Sequence, residues 1–378
     1  MHAVYVHMPF CTRKCGYCDF YSVTGAEGLY AAFTNRLLAE IQAVREDFHG
    51  TVTAVYVGGG TPTVLPPAHW RVLSAAIGLH VTQGRPVEFT VEANPETVTR
   101  ELVDVLAGGG VNRISIGAQS FRGQLLRVLG RRHHPEVVGR SVDLVRAAGI
   151  ENVSLDLIYG IPGQEMADWL ADLDTALALR PTHLSCYCLA YEPGTPLAGR
   201  VESGAVLPVG EYREAEMYEA AIDHLAAAGY EHYEISNWAR RDSGGRSWRC
   251  RHNLLYWTNG NWWPLGPAAC GHVAGWRWKN RPDLEAYLAS GPLPPITDVE
   301  HLDLDGRIGE QLMLRLRLIE GIPLNELDGL LAAGQRSAQR AAAITRAIDA
   351  GLLQRTSTHL CLTRRGLLLA DTVLRDLL

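Results

Sequence analysis

Tyr5-Val6-His7-Met8-Pro9-Phe10-Cys11-Thr12-Arg13-Lys14-Cys15-Gly16-Tyr17-Cys18 decides how the rest of this chain is read. Its first part is β-branched and aromatic and predicts a strand over 3–8, stopped at Pro9. Its second part is a loop whose cysteines are spaced C-x3-C-x2-C. Three thiolates on one short loop can hold three corners of an Fe4S4 cube, which ordinarily takes four cysteines. The next cysteine, Cys186, is far away in sequence, so one iron would stay open to another ligand. The competing reading is zinc, which wants four ligands and so a distant His or Cys.

Outward from this stretch, short hydrophobic runs alternate with longer amphipathic ones. Further strands are expected at 52–57, 87–92, 112–117, 152–158 and 183–189. Helical patterns fall near 29–46, 67–79, 97–108, 122–148 with a break at Pro135, 165–179 and 211–228. Strand and helix in alternation imply βαβ units and a parallel sheet, and six units suit an open, partial (β/α)6 barrel. The glycine-rich and polar signals follow the strands: Gly58-Gly59-Gly60-Thr61, Glu92-Ala93-Asn94-Pro95, Gly117-Ala118-Gln119-Ser120, and Asp156 with Tyr159-Gly160-Ile161-Pro162-Gly163. In such barrels the active site lies where the βα-loops converge. Singly, a triple glycine is a turn and Glu92 or Asp156 a cap or ion-pair partner; their joint order at strand ends argues for a site.

The barrel is expected over 1–230, a Trp- and Gly-rich segment over 231–300, and a helical, winged-helix-like domain over 301–378. The last rests on helical patterns at 306–319, 323–332 and 335–350, a hairpin at 352–363 and a helix at 364–377. Arg336, Arg340 and Arg346 read as a solvated helix face, and Cys186 and Cys188 as core residues. A net charge of −6 gives no electrostatic case for nucleic acid. No window approaches the ~20 apolar residues a transmembrane helix needs. The first residues have no basic region before a long apolar run, so a signal peptide is not expected. Eight unevenly placed cysteines then favour metal binding over disulfides and a reducing cytoplasm.

The cysteine spacing, with Tyr17 before the third cysteine, resembles the radical S-adenosylmethionine superfamily. The resemblance implies a [4Fe–4S] cluster on Cys11, Cys15 and Cys18. It also implies S-adenosylmethionine on the open iron, an electron donor for the cluster, and a 5′-deoxyadenosyl radical on cleavage. Matched position by position, Tyr5 stands beside the methionine moiety, Tyr17 against the adenine, and Gly59, Gly60 and Thr61 at the amino group. Glu92, Gln119, Arg131, Asp156 and Ala190 match the remaining cofactor contacts.

Tyr5-Val-His-Met-Pro-Phe-Cys11 and Cys18-Asp-Phe-Tyr-Ser22 narrow the resemblance to oxygen-independent coproporphyrinogen III oxidase-like proteins. The oxidases continue their motif with a fourth cysteine, where this chain has Phe20. That departure is similar to the heme chaperones of the HemW type, as is His252-Asn253-Leu-Leu-Tyr256-Trp257, an H-N-x-x-Y-W motif linked to heme in that group. The resemblance therefore implies heme, with His252 as a candidate axial ligand, and an acceptor hemoprotein of respiratory type. Cys270 stands where that group has a histidine, within Gly266-Pro-Ala-Ala-Cys-Gly-His272. The other reading is an oxidase that decarboxylates coproporphyrinogen III.

Overall fold

The computed structural model describes residues 2–48 and 52–378. Six strands lie side by side in chain order, all parallel: β1 (His2–Met8), β2 (Val52–Gly59), β3 (Glu88–Ala93), β4 (Arg113–Gln119), β5 (Asn152–Tyr159) and β6 (His183–Cys188). The crossovers are α1 (Tyr30–Ala43), α2 (Pro67–Ala76), α3 (Arg100–Gly108), the pair α4 (Gly123–Val128) and α5 (Glu136–Ala147), and α6 (Met166–Ala178). Helices α7 (Pro196–Glu202) and α8 (Glu211–Ala227) follow β6. Local chemistry sets the helix starts. Thr99 accepts the Leu102 N–H ahead of α3, a Glu165–Asp168 capping box opens α6, and Pro135 separates α4 from α5.

The sheet continues beyond these six strands. On one side β7 (Tyr230–Glu234) and β8 (Asn237–Arg240) form a hairpin whose β8 pairs antiparallel with β6. Helix α9 (Arg251–Trp257) follows. On the other side β9 (Asn261–Leu265) pairs parallel with β1, and β10 (Cys270–Val273), β11 (Trp276–Asn280) and β12 (Ile296–His301) extend it antiparallel, with α10 (Leu284–Ala289) before β12. The twelve-stranded order is β12-β11-β10-β9-β1-β2-β3-β4-β5-β6-β8-β7. These added strands were not expected, because strands of four to six residues, several of them mixing Trp, Gly, Pro and charged residues, show little alternation. The open edges of β1 and β6 supply the hydrogen-bond partners that make them strands, and the barrel edges are thereby covered.

The two faces of β1–β6 differ in chemistry, as the two-residue period of a strand allows. Val4, Val6, Val55, Val57, Val91, Ile114, Ile116, Val153, Leu155 and Leu184 join the main core under the helices. The alternate positions Tyr56, Glu92, Arg113, Ser115, Asp156 and Ser185 turn inward and line a cavity.

The C-terminal part has its own core, with Leu312, Leu316, Leu327, Ile344, Leu360 and Leu374 buried together. It comprises α11 (Leu304–Arg315), α12 (Leu324–Ala333), α13 (Ser337–Asp349), a small sheet of β13 (Ile322–Pro323), β14 (Leu353–Arg355) and β15 (His359–Leu362), then α14 (Arg364–Leu368) and α15 (Ala370–Arg375). Arg340 corrects the expected solvated face. It is 2% exposed, pairs with Asp305 at 2.9 Å and donates to the Leu377 and Leu378 carbonyls, pinning the chain end onto α13.

One buried carboxyl makes stability depend on pH. Glu40 on α1 accepts the Tyr287 hydroxyl (2.6 Å) and the Gly266 N–H (3.2 Å) on the same oxygen. Burial, opposed by those hydrogen bonds, pushes its pKa from 4.5 up to about 7. A raised folded-state pKa contributes stability below the ordinary value that is lost as pH rises through about 7. At about 1.4 kcal/mol per unit, the loss is on the order of 3 kcal/mol. Glu40→Gln keeps an oxygen for both donors, so urea unfolding should show wild type losing stability relative to this variant between pH 4.5 and 7. Parallel pH curves for the two proteins would refute this.

Candidate functional site

Past Met8 the chain turns over the C-terminal ends of the strands. Backbone hydrogen bonds fix this loop from four directions: Cys11 N–H to Val23 C=O (3.0 Å), Val23 N–H to Pro9 C=O (2.7 Å), Gly16 N–H to Leu129 C=O (3.0 Å) and Leu197 N–H to Gly16 C=O (2.8 Å). Cys11, Cys15 and Cys18 are all free thiols, half-buried, and line one cavity. The Cys11 sulfur lies 3.5 Å from the Thr61 hydroxyl. Burial raises the Cys15 and Cys18 thiols, and the Arg131 charge opposes that at Cys15. Among the described residues, no three His, Cys, Asp or Glu side chains form a ready site for a metal ion.

The glycine strip after β2 is packed too tightly for side chains. A Cβ on Gly60 would stand 2.6 Å from the Phe10 carbonyl oxygen, and Gly59 sits at φ +104° against the His7 ring. Every N–H of the strip is engaged: Gly59 donates to Glu92 Oε2 (3.2 Å), Gly60 to Met8 C=O (2.7 Å) and Thr61 to Phe10 C=O (2.7 Å). Glu92 also accepts the Tyr56 hydroxyl on Oε1 at 2.8 Å. Burial pushes its pKa up to about 7, the Tyr56 bond pulling down and the Asp156 charge pushing further up.

Opposite the strip, the β4–β5 pairing shifts register between Gly117 and Gln119, and Gln119 takes a left-handed φ of +64°. That irregularity, of the kind that re-aims side chains beside functional sites, leaves Gln119 over Gly117 beside Arg131. Arg131 is hydrogen-bonded to the Tyr17 hydroxyl, and its Nε has no partner. Asp156 accepts the Ser115 hydroxyl at 3.1 Å. Burial raises its pKa, against hydrogen bonds led by Ser185.

All three cysteines, together with Tyr17, Gly59, Gly60, Thr61, Glu92, Gln119, Arg131, Asp156 and Ala190, line one cavity of about 470 Å³. Phe20 lines it too and is exposed. Tyr5 and His252 do not line it; they sit behind Tyr56. The His252 ring stacks on Tyr56 with centroids 4.9 Å apart and lies 6.2 Å from Tyr5. It is 2% exposed, its Nε2 meets the Tyr256 hydroxyl at 2.9 Å, and its Nδ1 has no partner. Burial, with Arg113 nearby, lowers its pKa to about 3, so it is a neutral ring. Its motif neighbour Asn253 reaches the cavity. Cys188 departs from expectation: Cys186 is core, but Cys188 lies exposed at the end of β6 on the cavity wall. The motifs missed Tyr56, Arg113, Ser115 and Ser185, although counting inward by twos from Gly58, Gly117 and Tyr187 finds all four.

Known proteins can be set beside this geometry. The model of the radical SAM superfamily matches residues 5–176, and that of the HemN C-terminal domain matches residues 302–369. A heme chaperone HemW from Mycobacterium tuberculosis is 38% identical, covering 99% of this chain and 94% of the relative. Heme chaperone HemW of Lactococcus lactis is 33% identical over 100% and 97% of the two chains. Coproporphyrinogen III oxidase (HemN) from Escherichia coli, a radical SAM enzyme, superposes with a TM-score of 0.84 at 20% identity, covering 100% of this chain and 89% of that one. That last likeness establishes the fold alone. From its full-length relatives, the chain belongs to the heme chaperone HemW family, and its barrel to the radical SAM superfamily.

Proposed function

We propose that this protein binds heme and transfers it to an acceptor hemoprotein, carrying a [4Fe–4S] cluster on Cys11, Cys15 and Cys18 and an exchangeable S-adenosylmethionine. The observation that supports it is the convergence of three free thiols and the glycine strip on one cavity, in a chain with full-length relatives named heme chaperones. The residues suit both cofactors. Arg131 favours the thiolate at Cys15. Because the N–H groups of Gly59, Gly60 and Thr61 are all engaged, the strip meets a ligand with carbonyl oxygen, which suits the methionine ammonium. Glu92, near neutrality in pKa, and Asp156 suit ribose hydroxyls, Arg131 and Gln119 the carboxylate, and Tyr17 and Ala190 the remaining contacts, while Tyr5, behind Tyr56, is left without the contact the resemblance implied. With both groups in place, the chemistry supplied is one-electron cleavage of a sulfonium. The acceptor is proposed to be respiratory. Free cysteines throughout suit a reducing cytoplasm, and no helix among the described residues is long and apolar enough to cross a membrane.

Oxidative decarboxylation of coproporphyrinogen III is the second reading, favoured by the shared fold. Phe20, standing where that enzyme's motif has a further cysteine, argues against it.

Anaerobic reconstitution should give an iron–sulfur charge-transfer band that Cys15→Ala abolishes; absence of the band from wild type would end both readings. Coproporphyrinogen III with S-adenosylmethionine and reductant should give no protoporphyrinogen, and robust turnover would establish the oxidase instead. Added heme should give a Soret band that weakens in His252→Ala. An unchanged titration would remove His252 from the heme site, though not heme from the protein.

The stacked His252–Tyr56 pair also reaches Glu92 and, through it, Gly59. Tyr56→Phe keeps the ring and removes only the hydroxyl. S-adenosylmethionine affinity should fall about 5- to 10-fold, as for loss of one hydrogen bond of about 1–1.5 kcal/mol. Equal affinity in calorimetry would mean that Glu92 holds its place unaided.

A further inference from the structure

Arg113 opens β4 and lies inside the barrel, 2% exposed, where it lines the floor of the cavity. Its Nε and Nη1 have no hydrogen-bond partner. No carboxylate among the described residues stands within ion-pair distance of it. The acids around it are committed elsewhere. Glu88 Oε1 accepts the N–H groups of Arg251 (2.8 Å) and His252 (3.3 Å) and the Cys250 thiol (3.5 Å). Glu92 is held by Tyr56 and Gly59, and Asp156 by Ser115 and Ser154. A guanidinium cannot shed its proton to escape burial. A buried charge without a paired partner is costly, and breaking such a pair is strongly unfavourable. This arginine is therefore a buried charge whose Nε and Nη1 no carboxylate satisfies, with Glu88 only in its wider surroundings.

Its depth separates it from Gln119 and Arg131, the groups proposed for the cofactor carboxylate, although Glu92 and Asp156 lie nearer to it. Gln119 is six residues further along the same strand, ~20 Å at 3.3 Å per residue, and Arg131 crowns that upper end. Ser115, two residues along the same strand face, lines the cavity with Arg113, and so does Asn253. The free Nε and Nη1 lie on different edges of the guanidinium, and each offers an N–H to a carboxylate oxygen.

We propose that Arg113 is the anion-binding residue of a second subsite, at the floor of the barrel cavity, that takes an alkyl carboxylate. The carboxylate belongs either to a propionate arm of a tetrapyrrole or to a small free acid; only the first source rests on the heme reading above. The test titrates anaerobically reconstituted full-length protein with heme, with heme dimethyl ester, and with propionate. Each is repeated on Arg113→Lys and Arg113→Met, with the iron–sulfur band as the check on folding. If the tetrapyrrole is the source, heme affinity falls at least 10-fold in Arg113→Met and partly recovers in Arg113→Lys, while the ester binds weakly and alike to all three. If a small acid is the source, propionate binding falls in Arg113→Met and heme affinity does not change. Propionate binding that depends on Arg113 in a protein that binds no heme would uphold the subsite and refute the heme reading. Unaltered affinities for both heme and propionate in a folded Arg113→Met would overturn the proposal. Should neither variant fold, wild type decides: equal affinity for heme and its ester with no propionate binding would also overturn it.

Discussion

The whole arrangement depends on turning charged and polar side chains inward in a barrel that is otherwise built from β-branched residues. Each inward group loses water and must be paired, or the fold loses stability. Glu92 is satisfied by Tyr56 and Gly59, Asp156 by serines, and Glu88 by the first N–H groups of α9. Those pairings also position the strand-end groups, so the requirement that stabilises the interior is the one that shapes the cavity.

Helix α9 belongs to that interior. The His-Asn-x-x-Tyr-Trp motif sits behind Tyr56, with the backbone N–H groups of His252 and the preceding Arg251 on Glu88 and its histidine stacked on the tyrosine that bonds Glu92. A motif linked by family likeness to heme is thus physically continuous with the groups proposed for S-adenosylmethionine. Heme ligation through His252 would have to use Nδ1 or displace the Tyr256 hydroxyl, both inside the fold. The groups proposed for the two ligands therefore meet in one stack of rings.

Much of the barrel was legible because each unit is locally encoded. The six strands and their crossover helices fall within a few residues of their expected places, since strand alternation, caps and Pro135 act over short distances. The twelve expected residues that share the cavity were legible as motifs because parallel strands deliver their C-terminal ends, and most of the loops that follow them, to the same face. The edges β7–β8 and β9–β12 were not, because those short strands acquire their character from the strand beside them. Arg340 was misread for a related reason. Nothing local to α13 reveals that the chain end and Asp305 close over it.

By itself, then, the sequence determined the α/β alternation, the cysteine loop and the order of the cofactor-like residues, all features of short range. Only the tertiary structure decided that Tyr5 and His252 lie behind Tyr56, that Cys188 faces the cavity, and that Arg113 stands in the interior without an ion-pair partner. The physical reason is that burial and pairing depend on which distant segments meet, and a segment does not carry its future neighbours in its own pattern.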